Sequence, residues 1–207
     1  MEQDINESFD WCNVFKAALP PVRDQGNSRI CWAITAGDLV GSSLAIQRGE
    51  DNFIHLAWEE LVEEVPKTRK TPPKPGFEGC STINRGLLYI RDVGIGIKGH
   101  PNKKVKIQMI QSLKDASEDQ ILQAIRKQPL GGATQLCWEF KKFSGNGVFE
   151  GSNCEADFKH AFLIVGYGIE NGIKYYKIQN SWGTAWGEGG YAKIRRDLVT
   201  NISFPVL

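Results

Sequence analysis

The apolar positions follow a helical spacing in the first half of the chain and a strand spacing in the second. From Cys31 onward, Ala36, Leu39, Val40 and Leu44 recur at three- and four-residue steps and Gly49 follows as a stop, which predicts a helix opening at Cys31. Gly37 and Gly41, four apart, predict that another element packs closely on it. A second helix is predicted over 56–65, with Trp58, Leu61, Val62 and Val65 as its stripe and Pro66 ending it. Residues 67–75 read as a loop, and a short third helix is predicted over 84–92. After Gly94 the texture changes. Ser117 and Gln120 form a capping-box pattern, and Ile121, Leu122 and Ile125 carry that helix towards Pro129. Strands are predicted at 132–136, 161–167, 173–178 and 191–195. Asn171-Gly172, between two β-rich runs, predicts a tight hairpin. The expectation is an α+β chain with a helical lobe at 13–100 and a sheet-rich lobe at 101–207. The irregular N-terminal arm, 1–12, is expected to cross to the second lobe.

The 207 residues, 41% of them hydrophobic, are enough to bury a core in one unit or two small lobes. Lys and Arg number 25 against 24 Asp and Glu, a net charge of +1 that gives no electrostatic case for nucleic acid or a charged membrane. The longest apolar run, 161–165, falls far short of the roughly 20 residues that span a bilayer. The opening Met1-Glu2-Gln3-Asp4 is polar and acidic, so no signal peptide is expected. The five cysteines form no CxxC or Cys/His cluster, and His55, His100 and His160 are scattered. No metal and no cofactor is expected.

Candidate chemistry centres on Cys31. It follows Gln25 by six residues and opens a helix, where free N–H groups favour a thiolate. His160 comes 129 positions later and Asn180 149 positions later, followed by Ser181-Trp182-Gly183. Together these supply a nucleophile, a base, an amide to orient the base and, in Gln25, an oxyanion donor. Taken singly, each residue has an ordinary structural role; four of them in this order is a combination chance seldom produces. The hairpin folds the strand after His160 back along the strand before Asn180. An uninterrupted two-residue turn pairs positions summing to 343, which sets Asn180 opposite Leu163, three residues from His160 and roughly 10 Å away at about 3.3 Å per residue. A bend or bulge after Ile178 is therefore expected to close the gap.

These segments resemble the papain/cathepsin family of cysteine peptidases, and the separations match that family's own roughly 130–150-residue signature. Phe9-Asp10-Trp11 is similar to its opening, Pro21-Val22-Arg23-Asp24-Gln25-Gly26 to the approach to its nucleophile, and 56–63 to its second helix. Lys159-His160-Ala161 through Gly166-Tyr167-Gly168 resembles its histidine strand. Asn180-Ser181-Trp182-Gly183 and Trp186-Gly187-Glu188-Gly189-Gly190-Tyr191 resemble its asparagine motif. The resemblance implies the papain-like two-lobed fold, a helical lobe and an antiparallel β-barrel-like lobe with the active site in the cleft between them. It implies thiol-dependent peptide hydrolysis by Cys31, His160, Asn180 and Gln25 through an acyl-enzyme, with Trp182 shielding the Asn–His contact. Ala133, Phe158 and Ala161 match positions lining the family's main side-chain pocket, and Trp186 is taken as a further substrate contact. A peptide or protein substrate is expected, with room for a proteinaceous inhibitor in the cleft, on a monomer.

The departures carry further expectations. Arg29 and Ile30 stand where the family has Gly-Ser beside the nucleophile, and Ser81-Thr82-Ile83-Asn84 replaces its Gly-Gly turn after Cys80. A restricted cleft is expected, with Arg29 either lying over it or extending into solvent. A catalytically weak binding or regulatory relative, and an acyl transferase using the same residues, stand as alternatives. Ser28 replaces one family disulfide cysteine, Glu64 another, and no cysteine follows Cys154 to pair with it. No disulfide is expected, a Cys137–Cys154 pair being the one open exception. A cytoplasmic or nucleocytoplasmic home is expected on that ground and on the expected absence of a signal peptide.

Overall fold

A computed structural model describes residues 8–68, 73, 79–151 and 158–207. The chain opens with a short strand β1 (Phe9–Asp10) and a helical turn α1 (Trp11–Val14). Helices α2 (Cys31–Arg48), α3 (Glu59–Glu64) and α4 (Ile83–Asp92) follow, then strands β2 (Ile95–Ile97), β3 (His100–Val105) and β4 (Met109–Ser112). Next come α5 (Glu118–Lys127), β5 (Leu130–Gln135), a turn α6 (Trp138–Lys141) and β6 (Val148–Phe149). Four strands end the chain: β7 (Lys159–Glu170), β8 (Ile173–Gln179), β9 (Tyr191–Arg195) and β10 (Thr200–Val206).

Helix α2 begins at Cys31 and stops where expected, with Gly49 in the left-handed conformation at its C-terminus. It is buried on all sides from Trp32 to Ala45, so it forms the axis of the helical lobe. The two glycines permit this. A Cβ on Gly37 would sit 2.6 Å from Trp58 Cβ, and one on Gly41 only 2.3 Å from the Ile54 carbonyl oxygen. Helix α3 starts three residues later than its pattern predicts. Leu56 bridges Ile97 and the Ala57 N–H donates to the Gly96 carbonyl, so this backbone is committed to β2 before the helix can begin. The capping box forms as expected: Ser117 N–H donates to Gln120 Oε1 at 2.8 Å, and Gln120 N–H to Ser117 Oγ at 3.3 Å. The predicted loop at 67–75 lies largely outside the described residues.

The main sheet runs β4-β10-β5-β7-β8-β9-β6, with β1 adding to the edge of β7; β2 and β3 form a separate hairpin. Strand β7 is the wall between two cores. Ala161, Leu163 and Val165 pack with α2 and the helical lobe, whereas Phe162 and Ile164 pack with Phe140, Tyr176 and Ile194. This explains the unbroken apolar run: a strand buried on both faces has no polar alternation. The N-terminal arm meets the same strand. Phe9 and Asp10 pair with Tyr167 and Gly166, and the Trp11 indole N–H donates to the Ile125 carbonyl at 2.7 Å. Only a glycine fits at Gly166, where a Cβ would lie 2.4 Å from the Phe9 carbonyl oxygen.

The Asn171-Gly172 hairpin forms, with φ values of 50° and 80°. From Glu170↔Ile173 to Gly166↔Lys177 the pairs sum to 343, and beyond Gly166 the register shifts to Ile164↔Ile178 and Leu163↔Gln179. The irregularity is thus a β-bulge at Val165 on β7, not a bend after Ile178. Side-chain placement records it: Val165 faces the helical core, yet Tyr167, two residues on, faces the other.

The expectation of no disulfide is corrected. Cys137 is disulfide-bonded, while Cys12, Cys31 and Cys80 are not. Cys154, its one open partner on the sequence reading, lies outside the described residues. The bond removes one of the two grounds for expecting a cytoplasmic home, since structural disulfides persist in oxidising compartments. A thiol titration of the denatured, unreduced protein is expected to find three reactive groups of the five; five would contradict the bond.

Candidate active site

Three segments meet where the lobes join. The first is the loop before α2. Its residue Gln25 donates its backbone N–H to the Ser181 carbonyl at 2.9 Å, and Gly183 N–H donates to the Arg23 carbonyl at 2.8 Å. Side chains reinforce the seam: Ser181 Oγ donates to Gln25 Oε1 at 2.6 Å, and Gln25 Nε2 donates to the Ser28 carbonyl at 2.5 Å. An amide nitrogen carries two N–H groups, so one remains for a ligand in the cleft.

The second segment is the start of α2. Ile30 precedes the helix without any side-chain cap, so the first N–H groups have no partner from that quarter. Burial pushes the Cys31 thiol up, while hydrogen bonds from the backbone of Ala161, Trp32 and Cys31 itself act in favour of the thiolate.

The third is the pair of strands β7 and β8. His160 and Asn180 are 2% and 3% exposed, and His160 Nε2 lies 2.6 Å from Asn180 Oδ1. The same oxygen accepts the Ser181 backbone N–H at 2.7 Å, which fixes the amide's orientation and makes Nε2 the protonated nitrogen of the neutral imidazole. Nδ1 is left as the nitrogen with a free lone pair. The Val165 bulge is what permits this contact. Without it Asn180 would oppose Leu163, on the other face from His160. The one-residue shift sets it opposite Phe162, an even two residues from His160 and on the same face. Trp182 stacks over the imidazole with ring centroids 4.2 Å apart and an interplanar angle of 29°. Burial holds His160 down at about 4, against a smaller raising effect of Asn180; the Lys141 charge lowers it further.

Cys31, His160, Gln25, Arg29, Phe158 and Trp186 all line one cleft of about 760 Å³. The Arg29 guanidinium does not run free into solvent: it lies over the Phe158 ring, 4.6 Å from its centroid. Trp186 sits beneath Trp182, edge to face at 5.3 Å, and donates its indole N–H to the Phe140 carbonyl. Ala133 and Ala161 are paired across β5 and β7, and both are 6% exposed. Leu136 and Lys141 line the cleft without having been picked out from the sequence. No local pattern marks them; Lys141 comes in through α6, whose place depends on the packing of Phe140.

Residues 5–204 match the family model described as papain family cysteine protease. The chain is 33% identical over 214 residues to papaya proteinase 4 of Carica papaya, covering 93% of this chain and 56% of that protein. It is 31% identical over 209 residues to a cathepsin L-like proteinase of Phaedon cochleariae, covering 92% and 60%. The chain thus spans little more than half the length of these curated relatives. Among solved structures, digestive procathepsin L2 of Tenebrio molitor larval midgut superposes with a TM-score of 0.84 at 27% identity, over 100% of this chain and 69% of that one. The Carica candamarcensis cysteine protease CMS1MS2, in complex with E-64, does so with a TM-score of 0.77 at 26% identity, over 96% and 97%. With the family model covering nearly the whole chain and the two-lobed α+β architecture shared with these structures, this protein belongs to the papain family of cysteine proteases.

Proposed function

We propose that the chain is a thiol peptidase acting on peptide or protein substrates as a monomer, with Cys31 as nucleophile. The observation that carries this reading is the buried His160–Asn180 pair, stacked under Trp182 and opening onto the same cleft as Cys31 at the start of α2. Burial opposes a lone charge on either partner, so thiolate and imidazolium are favoured together, as a pair, and not singly. On substrate binding, the Cys31 proton passes to His160 Nδ1 and the sulfur attacks the carbonyl carbon. The oxyanion so formed takes hydrogen bonds from the Cys31 backbone N–H and the remaining Gln25 N–H. His160 then hands its proton to the departing amine as the C–N bond breaks. Water, deprotonated by His160, releases the acyl group and restores Cys31. Asn180 Oδ1 accepts a hydrogen bond from the His160 Nε2–H throughout and holds the ring's orientation. The Arg29–Phe158 stack across one end of the cleft restricts which peptides lie close to the sulfur.

The test is mass spectrometry after treatment with the epoxide E-64, which two of the similar structures contain. Alkylation of Cys31 alone, with Cys12 and Cys80 spared, is the expected result. Equal labelling of all three would mean that the cleft confers no special reactivity on Cys31.

A further inference from the structure

Among the described residues, the cleft lining holds three cationic side chains, Arg29, Lys141 and Lys159, and no aspartate or glutamate. The chain as a whole carries a net charge of only +1, so this is a local concentration of charge and not a general bias. The three come from separate places: Arg29 from the loop before α2, Lys141 from α6, and Lys159 from the start of β7 beside His160. All are exposed, and no described carboxylate pairs with any of them. Lys98, Lys174, Lys193 and Arg195, elsewhere on the surface, each hold a carboxylate.

The geometry of each cation favours an anionic guest. The Arg29 guanidinium lies over the Phe158 ring, which takes no two-point hydrogen bond, so its N–H groups can grip a carboxylate in that fashion. Stacking also limits the rotamers that binding would otherwise have to freeze. Lys159 is steadied by a hydrogen bond from Nζ to Thr200 Oγ1 at 3.0 Å. The Lys141 charge reaches the His160 imidazole, alongside the larger effect of burial there. Cations lining a cleft with low-dielectric walls focus their field into it and raise the local concentration of an oppositely charged substrate.

We propose that this cleft selects peptides with an anionic side chain close to the scissile bond, bound between Arg29 and Lys141. The proposal rests on the peptidase reading and adds the substrate class to it. A glutamate and a phosphorylated serine share the required chemistry, and the experiment separates them.

Peptides matched except for Glu, Gln or phosphoserine at each position flanking the cleaved bond would be compared by kcat/KM. Glu is expected to exceed Gln by about tenfold or more at its best position, the range of a charge-assisted hydrogen bond. That ratio should shrink as salt is raised and fall towards one in Arg29→Gln or Lys141→Gln. A phosphoserine advantage over Glu would identify the phosphoryl group as the preferred anion. Equal rates for Glu and Gln, or a ratio indifferent to both substitutions, overturns the proposal while leaving peptide hydrolysis intact. If no peptide is cut, the peptidase reading falls, and equilibrium binding of the same peptides to the Cys31→Ala protein decides. A tenfold tighter Kd for the anionic peptides would uphold the anionic cleft, and equal binding or none would overturn it.

Discussion

Cys31→Ala is expected to abolish peptide hydrolysis, a loss of at least about 10⁴-fold, whereas Asn180→Ala should leave a reduced but measurable rate. The difference follows from what each side chain does. In the proposed mechanism Cys31 forms and breaks the covalent bond, and no neighbour on α2 can replace its sulfur. Asn180 takes no proton; it fixes which imidazole nitrogen carries one, through the 2.6 Å contact with Nε2. Without it the ring samples both tautomers and turns under Trp182, so a fraction of molecules still presents Nδ1 as base. The pH profile adds a second readout. Because burial holds His160 down at about 4, it stays an unprotonated base at pH values where an exposed histidine would have been protonated. Hydrolysis should persist as pH falls through 6.5 and fail nearer 4. Equal rates in Cys31→Ala and the parent, measured under single-turnover conditions, would remove the chemistry proposed for this cleft.

Arg23→Met is expected to destabilise the fold by about 3–5 kcal/mol near neutral pH, the usual consequence of stranding a buried charge. Arg23 binds Asp38 with two hydrogen bonds, Nε to Oδ2 at 2.7 Å and Nη2 to Oδ1 at 2.6 Å, with side chains 16% and 5% exposed. The pair ties the loop carrying Gln25 to the middle of α2. Burial outweighs the guanidinium and raises the Asp38 carboxyl to about 6. Since that value is above the unfolded one, the native state binds the proton more tightly. The contribution is greatest below about pH 4 and is lost as pH rises to about 6. Removing Arg23 pushes the carboxyl higher still and extends the window over which stability is lost. Urea denaturation should therefore find a smaller penalty for Arg23→Met at pH 5 than at pH 8. Arg23→Met combined with Asp38→Leu should recover most of the loss, because it buries no charge at all. A penalty that does not change with pH would mean that Asp38 is not the group left exposed to the change.

The sequence by itself determined the elements whose cause is local. The extent of α2 follows from apolar spacing and the Gly49 stop, the start of α5 from Ser117 and Gln120, and the β7–β8 turn from Asn171-Gly172. Each depends on residues within a few positions of one another, and the motif spacing around Cys31, His160 and Asn180 identified the family. Other elements were missed or misplaced for a common reason. Strand β10 is not among the predicted strands because its partners, β4 and β5, lie far away in the chain, and α3 starts late because residues 56 and 57 pair with β2. The Cys137 bond and the approach of Lys141 to the cleft likewise depend on how α6 packs.

The contact between His160 and Asn180 was decided by tertiary structure alone. Counting from the turn sets the two on opposite faces of the hairpin, and no side-chain pattern in 161–165 marks a bulge, because that run is apolar on both sides. The bulge becomes necessary only in the assembled protein. Val165 must fill the helical core, Gly166 must admit the Phe9 backbone, and Tyr167 must return to the opposite core. One extra residue in β7 satisfies all three and brings His160 and Asn180 to the same face, since side chains in a strand alternate with a period of two.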